Sequence, residues 1–104
     1  MAPRGRRVVW AYRAREALDE TVGYVAAQSP QAATALLTRI LDAAGSLAEL
    51  GERGRIVPEL DDPILRELLV DPYRLLYEVH SDHVRVVGLL HQRREFERWR
   101  RRAQ

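Results

Sequence analysis

The pattern of hydrophobic and polar positions changes its period early in the chain. Residues 6–10 (RRVVW) combine two valines with a tryptophan and predict a short, half-buried strand. Beyond them, apolar residues such as Ala14, Leu18 and Val22 recur every three or four positions, with charged residues on the opposite face. This spacing predicts a first helix over residues 12–27.

A serine–proline pair marks the start of a second helix. Ser29 is a good N-cap, and Pro30 suits the first helical position. A broad apolar stripe at helical spacing then extends to about Leu50, which predicts a helix over residues 29–50. Because so short a turn joins the two helices, we expect them to pack against each other as an antiparallel hairpin.

The second half of the chain has the pattern of β-strands. Glycines and prolines predict an irregular segment over residues 51–64. Strands are expected at Leu65–Val70, at residues 73–80 and at His83–His91, followed by a short helix from Arg94. The order β-α-α-β-β-β predicts an α+β fold of two layers, in which the helical hairpin packs on one face of a twisted, mainly antiparallel sheet.

The two-residue loop between the last two strands predicts their register. It places Glu78 opposite Arg85 and Arg74 opposite Leu89. One face of this pair of strands is then apolar, fit for the helices to cover. The other face carries the Glu78–Arg85 pair together with Arg74 and His91, and we expect it to be open and available for binding.

Composition limits the chemistry that this chain can perform. Its 104 residues suggest a single domain over residues 1–104. It has no cysteine, which excludes thiolate catalysis and cysteine-based zinc sites and fits a cytoplasmic protein. All 17 basic residues are arginines, so no lysine amine can act as a base. Three scattered histidines do not form a metal motif, no cofactor is expected, and no apolar run is long enough to span a membrane.

Five segments, in this order and spacing, resemble the RelE/ParE toxin family of bacterial type II toxin–antitoxin systems. The resemblance covers nearly the whole chain. It rests on residues 29–33 (SPQAA), 54–59 (GRIVPE), 66–68 (REL), 73–77 (YRLLY) and 90–94 (LHQRR).

The resemblance implies two possible targets. RelE-like members cut mRNA in the ribosomal A site, whereas ParE-like members poison DNA gyrase and are not nucleases. In RelE-like nucleases an arginine binds the phosphate, and Arg74 matches it. Arg93 matches a second catalytic arginine, with Arg94 as its neighbour. Arg66 stands where those nucleases carry lysines, and arginine could keep the charge but not the role of a base.

RNA cleavage through the 2′-hydroxyl also needs a base and an acid. Histidine changes its protonation near neutral pH, so His91 is the first candidate, with Glu67 and Glu59 as carboxylate alternatives. Arg85 and Trp99 are expected to contact RNA together with Arg94. Trp99 stands at about the place of a catalytic tyrosine, and an indole can stack on a base but cannot donate a proton from oxygen.

These features predict a toxin that arrests growth, with ribosome-dependent, metal-independent mRNA cleavage as the favoured mechanism. Gyrase poisoning is the alternative, because two long helices with a serine–proline turn look more like ParE. A member of the fold that has lost toxicity is a third reading. The expected partners are the ribosome and mRNA, or gyrase, and a small acidic antitoxin that is partly disordered and encoded in the same operon. We expect a partly helical segment of this antitoxin to cover the toxin, so that the two form a hetero-oligomer.

Overall fold

The computed structural model describes residues 5–91 and 96–103, without the side chains of residues 102 and 103. It confirms the predicted fold class, two helices packed on a mostly antiparallel sheet with a short helix at the C-terminal end. In chain order the elements are β1 (Arg7–Trp10), α1 (Tyr12–Gln28), α2 (Pro30–Ser46), β2 (Arg55–Ile56), β3 (Leu65–Val70), β4 (Tyr73–Val79), β5 (His83–His91) and α3 (Phe96–Ala103).

The strands form one sheet in the order β1-β5-β4-β3-β2. β1 runs parallel to β5, and the other neighbouring pairs are antiparallel. The sequence did not predict β2, a two-residue strand inside the segment expected to be irregular. β2 pairs only with Arg66 and Glu67 of β3, so it covers the outer edge of that strand over a short length.

The turn between the helices forms as the sequence predicts. The Ser29 hydroxyl accepts a hydrogen bond from the Ala32 amide at 3.1 Å, and Pro30 begins α2. The predicted end of this helix is wrong by about four residues, because α2 ends at Ser46. The following residues form tight turns instead, in which the Leu47 amide donates to the Ala44 carbonyl. Leu47 is nevertheless fully buried, which explains why the apolar stripe continues past the helix.

The helical hairpin covers one face of the sheet, as predicted. Leu18, Leu36 and Ile40 from the helices form one buried cluster with Leu75 and Tyr77 of β4. The phenol oxygen of Tyr77 accepts a hydrogen bond from the Gly54 amide at 2.7 Å, so this buried hydroxyl has a partner. The cluster fixes the sheet against the hairpin.

The opposite face is only partly open, which corrects this expectation. A second apolar cluster covers part of it, formed by Val57, Leu65, Leu76, Leu90 and Phe96. The irregular segment before β3 and the helix α3 therefore lie over the sheet. Part of the face that the sequence presents for binding is therefore the floor of a second core.

A β-bulge corrects the predicted register of β4 and β5. Near the turn the prediction holds, since Glu78 pairs with Arg85. The register then shifts between Leu76 and Tyr77, with Val87 as the extra residue of β5. Arg74 consequently lies opposite Leu90 instead of Leu89. Each β5 residue beyond the bulge faces the side opposite to that predicted.

No helix in the described part of the chain is both long enough and apolar enough to cross a membrane.

Candidate functional site

Arg74 lies at the centre of the sheet face that α3 covers. Its cross-strand neighbours are Leu69 of β3 and Leu90 of β5. Only 6% of the residue is exposed. A buried arginine is rare in proteins unless it is paired, because the guanidinium keeps its charge. The position of Arg74 therefore requires anionic partners close by.

Two carboxylates supply that pairing. The Arg74 Nε donates to Glu67 Oε1 at 2.6 Å, and Nη2 also contacts this oxygen. On the outer side of the guanidinium, Nη1 and Nη2 donate to the two oxygens of Glu59 at 3.0 and 2.9 Å. This second pairing is a bidentate fork, the geometry in which arginine holds carboxylates and phosphates most firmly.

The two glutamates favour the charged form of Arg74. Burial alone would lower the pKa of Arg74, but hydrogen bonds and charge from Glu59 and Glu67 raise it above its ordinary value. Glu67, which is 5% exposed, also accepts a hydrogen bond from the Arg55 Nε at 2.5 Å. The four side chains thus carry two positive and two negative charges. We call Arg55, Glu59, Glu67 and Arg74 the ion network.

Helix α3 contacts the ion network through an aromatic ring. The Arg74 guanidinium carbon lies 5.2 Å from the centroid of Phe96, and the corresponding atom of Arg100 lies 5.9 Å from the same centroid. Both distances are within the range of cation–π attraction. Phe96 is 1% exposed, so α3 anchors on the cluster that contains the network.

The bulge moves His91 to the other face of the sheet, which corrects its predicted facing. His91 pairs directly with Tyr73, and their rings make an edge-to-face contact at 5.4 Å. Cross-strand partners share a face, and the neighbours Tyr73 and Arg74 point to opposite faces. His91 and Arg74 are therefore on different faces, although the sequence placed them together.

Arg66 also faces away from Arg74. It pairs with Tyr77, on the helix side of the sheet. Its Nη1 donates to the Gly54 carbonyl at 2.9 Å, while its buried Nε has no hydrogen-bond partner. The sequence left the facing of this residue open. Of the predicted catalytic residues within residues 5–91, the structure brings together Arg74, Glu67 and Glu59.

The predicted RNA-contacting residues are dispersed. Arg85 is half exposed and lies 3.7 Å from Glu78. The Trp99 indole nitrogen donates to the Val87 carbonyl at 3.0 Å, and a Cβ on Gly88 would lie 2.6 Å from the same nitrogen. Trp99 therefore packs α3 against β5. Arg93 and Arg94, predicted to be catalytic and RNA-binding, lie outside the described residues.

Sequence reasoning identifies three members of the ion network, Arg74 and the two candidate bases Glu59 and Glu67. It misses Arg55 and the arrangement of the four side chains. The alternation along β3 could have indicated that Glu67 shares a face with the buried Leu65. Nothing in the sequence indicates that the irregular segment folds Glu59 onto Arg74. Among the residues described, no group of three or more His, Cys, Asp or Glu side chains could hold a metal ion.

Comparisons with known proteins agree with this fold. The family model described as "ParE toxin of type II toxin-antitoxin system, parDE" matches residues 8–96. "Toxin RelE2" of Caulobacter vibrioides is 39% identical over 89 residues, which cover 85% of this chain and 97% of that protein. A solved structure titled "Chromosomal ParDE TA system from P. aeruginosa" is similar with a TM-score of 0.69 at 19% identity, covering 85% of this chain and 97% of that one.

Proposed function

The chain belongs to the ParE toxin family of type II toxin–antitoxin systems, and we propose that it arrests growth by binding and poisoning DNA gyrase without cutting RNA. As a toxin of such a system, it has a cognate antitoxin as its partner. We expect a hetero-oligomer with that antitoxin and action in the cytoplasm, where both gyrase and the ribosome are found.

One observation carries this proposal: the best phosphate-binding candidate is already neutralised. Arg74 is 6% exposed and holds Glu59 in a bidentate fork, with Glu67 on its other side. An RNA phosphate would have to displace Glu59 and approach a second buried carboxylate. That approach costs electrostatic free energy, because like charges repel more strongly where water is excluded.

The distribution of the other candidates supports the same proposal. A ribonuclease needs its base and its cation at one phosphate. Here His91 and Arg66 lie on the face of the sheet opposite Arg74. A toxin that acts by binding a protein needs no such convergence of side chains.

Ribosome-dependent mRNA cleavage is the second candidate. It is favoured by the 39% identity to a protein named Toxin RelE2. The exposed arginines of α3, Arg98 and Arg101, would also suit contacts with RNA phosphates. In this reading Arg74, Glu67, Arg66, His91 and Arg93 would form the catalytic set, and Arg85, Arg94 and Trp99 would contact RNA.

The two mechanisms leave different products, so one induction experiment separates them. The chain is expressed without an antitoxin. Growth is followed while DNA is assayed for trapped gyrase–DNA cleavage complexes and translated mRNA is mapped by primer extension. We expect growth arrest with an SOS response, accumulated cleavage complexes and intact messages. A host with a toxin-resistant gyrase should keep growing.

New mRNA ends within translated codons, without cleavage complexes, would contradict the proposal and establish the nuclease. Normal growth despite accumulation of the folded chain would contradict both mechanisms and support a member that has lost toxicity.

A further inference from the structure

Helix α3 carries a basic outer face. Its eight residues, FERWRRRA, include four arginines and one glutamate. At the spacing of an α-helix, Phe96 and Trp99 fall on one side, and Arg98 and Arg101 fall on the other. The exposure agrees with this division, because Phe96 is buried and Trp99 is half-buried, whereas Arg98 and Arg101 are exposed. The helix therefore presents positive charge to solvent.

The inner face of α3 fixes the orientation of the helix. Phe96 belongs to the second apolar cluster and is 1% exposed. The Trp99 indole nitrogen donates to the Val87 carbonyl at 3.0 Å, and the ring lies against Gly88. Both anchors are on the side of α3 away from Arg98 and Arg101. The two arginines therefore project from a rigid support, which is what a preformed binding surface needs.

These two arginines differ from their neighbours in their pairing. Arg74, Arg85 and Arg100 each form an ion pair with a glutamate. No ion pair joins Arg98 or Arg101 to an acidic side chain of residues 5–91 or 96–103. A guanidinium that faces water without an internal counter-ion can accept an external anion, and its planar fork suits a phosphate group.

A cleft of about 240 Å³ continues this surface from α3 to α1. Arg98 of α3 and Arg13 of α1 both line it, and Glu20 is the acidic residue among the residues that line it. Arg101 lies three positions after Arg98 and is therefore its neighbour along the helix. We call Arg13, Arg98 and Arg101 the basic surface. With Glu20 included, this part of the molecule has a net positive charge.

The chemistry of the basic surface fits a nucleic-acid duplex better than a single strand. Sites for single strands add aromatic rings on which unpaired bases stack. Both aromatic rings of α3 belong to its inner face, where Phe96 is buried and the Trp99 indole is bonded to β5. Arginines without such rings contact phosphates alone, and a DNA duplex carries one phosphate charge per roughly 1.7 Å of its axis.

We propose that α3 binds the phosphate backbone of duplex DNA through Arg98 and Arg101, with Arg13 of α1 as a further contact. The inference rests on the proposed action on gyrase, because that action brings the toxin to an enzyme whose substrate is duplex DNA. A contact with the DNA adds to the contact with the enzyme, so the toxin holds both parts of the cleavage complex at once.

The test measures binding of the full chain to a fluorescent DNA duplex by anisotropy at several salt concentrations. The α3 variant carries Arg98→Gln and Arg101→Gln. The control variant carries Arg7→Gln and Arg15→Gln, which remove the same charge from two exposed arginines outside the basic surface. A single-stranded RNA of the same length is the second probe, and circular dichroism checks the fold of each variant. Each protein is then added to purified gyrase and plasmid DNA, and the trapped cleavage complexes are quantified.

We expect the wild type to bind the duplex more tightly than the RNA. Each phosphate contact contributes about 0.9 to the slope of log affinity against log salt concentration. The α3 variant should therefore lose about 2 from that slope and bind the duplex at least about tenfold more weakly at about 0.1 M salt. The control variant should keep the slope of the wild type. The α3 variant should also need several-fold more protein than the control variant to trap the same amount of cleavage complex.

Several results would overturn the inference. They are no measurable binding of the duplex, an equal loss of affinity in the α3 and control variants, and RNA binding as tight as duplex binding with the same loss in the α3 variant. Unchanged trapping of cleavage complexes by an α3 variant with weakened DNA binding would overturn it as well. If the wild type traps no cleavage complexes but binds the duplex through Arg98 and Arg101, the proposed action on gyrase fails and the DNA contact stands.

Discussion

Replacement of Arg74 by methionine should lower the free energy of unfolding by about 3 kcal/mol. The substitution keeps a long, flexible side chain but removes the charge that Glu67 and Glu59 share. Removal of one partner from a buried ion pair typically costs about 3–5 kcal/mol, since the other partner keeps its desolvation cost without its attraction. The loss concerns stability and does not depend on any ligand.

The structure places the expected loss at the lower end of that range. Glu67 is 5% exposed but keeps Arg55 as a partner, and the Arg55 side chain is 69% exposed. A pair with so exposed an arginine contributes up to about 1 kcal/mol. The Glu59 side chain is already 27% exposed, so water partly solvates its charge once Arg74 is gone. The charge that loses most of its compensation is therefore that of Glu67.

Urea unfolding at neutral pH measures the effect. For a chain of this size, a loss of about 3 kcal/mol lowers the midpoint by roughly 1–3 M. Arg85→Met is the matched control, because that half-exposed arginine lies 3.7 Å from Glu78 and should cost up to about 1 kcal/mol. The double variant Arg74→Met, Glu67→Met should recover about 2 kcal/mol of the loss, since it removes both buried charges.

Two results would refute this reasoning. If Arg74→Met costs no more than Arg85→Met, the ion network does not stabilise the fold, and Arg74 is available to a ligand. If the double variant is less stable than Arg74→Met alone, the loss comes from packing instead of from the isolated charge of Glu67.

Two other predictions concern the contact between Tyr77 and Gly54. Burial raises the pKa of Tyr77 above its ordinary value of 10.0, so the unfolded chain loses that proton first, and stability falls as the pH rises above that value. The free energy of unfolding should therefore fall more steeply between about pH 9 and pH 11 in the wild type than in Tyr77→Phe. Tyr12→Phe, at a 76% exposed tyrosine, should follow the wild type. Equal slopes for all three proteins would contradict the assignment of this pH dependence to Tyr77. Gly54→Ala should cost at least about 2 kcal/mol, because its Cβ would meet the Glu67 carbonyl and the Tyr77 hydroxyl. Gly45→Ala, in α2 with nothing within 4 Å of the added Cβ, should be neutral or stabilising, and equal midpoints for the two variants in thermal unfolding would refute the steric argument.

Local signals predicted most of the fold. The helical hairpin follows from apolar spacing and from the Ser29–Pro30 turn, and both are contained in a short stretch of chain. The strands Leu65–Val70 and His83–His91 have the predicted bounds because the turn residues that delimit them act locally. Residues 51–64 were beyond such reasoning, since their positions depend on tertiary contacts such as that of Glu59 with Arg74.

The candidate site depended on the register of one hairpin, and a single extra residue changed it. The turn predicts the pairing of Glu78 with Arg85 correctly, but the bulge at Val87 reverses the facing of every later residue of β5. Gly88 was the available signal, because an isolated glycine in a strand indicates a bulge or a close contact. The Trp99 indole contacts that glycine, and no periodicity in the sequence predicts this packing of α3.

The bulge also bears on mechanism. With regular pairing, His91 and Arg74 would share a face and could act on one phosphate as base and cation. In the bulged hairpin Leu90 takes the place beside Arg74, and His91 contacts Tyr73 on the opposite face. Leu90 then joins Phe96 and Leu76 in the apolar cluster on the face of Arg74. The burial of Arg74 strengthens its pairing with Glu67 and Glu59, and it raises the cost of bringing a phosphate there. The same extra residue that separates base from cation thus also buries the cation, and both effects count against RNA cleavage at Arg74.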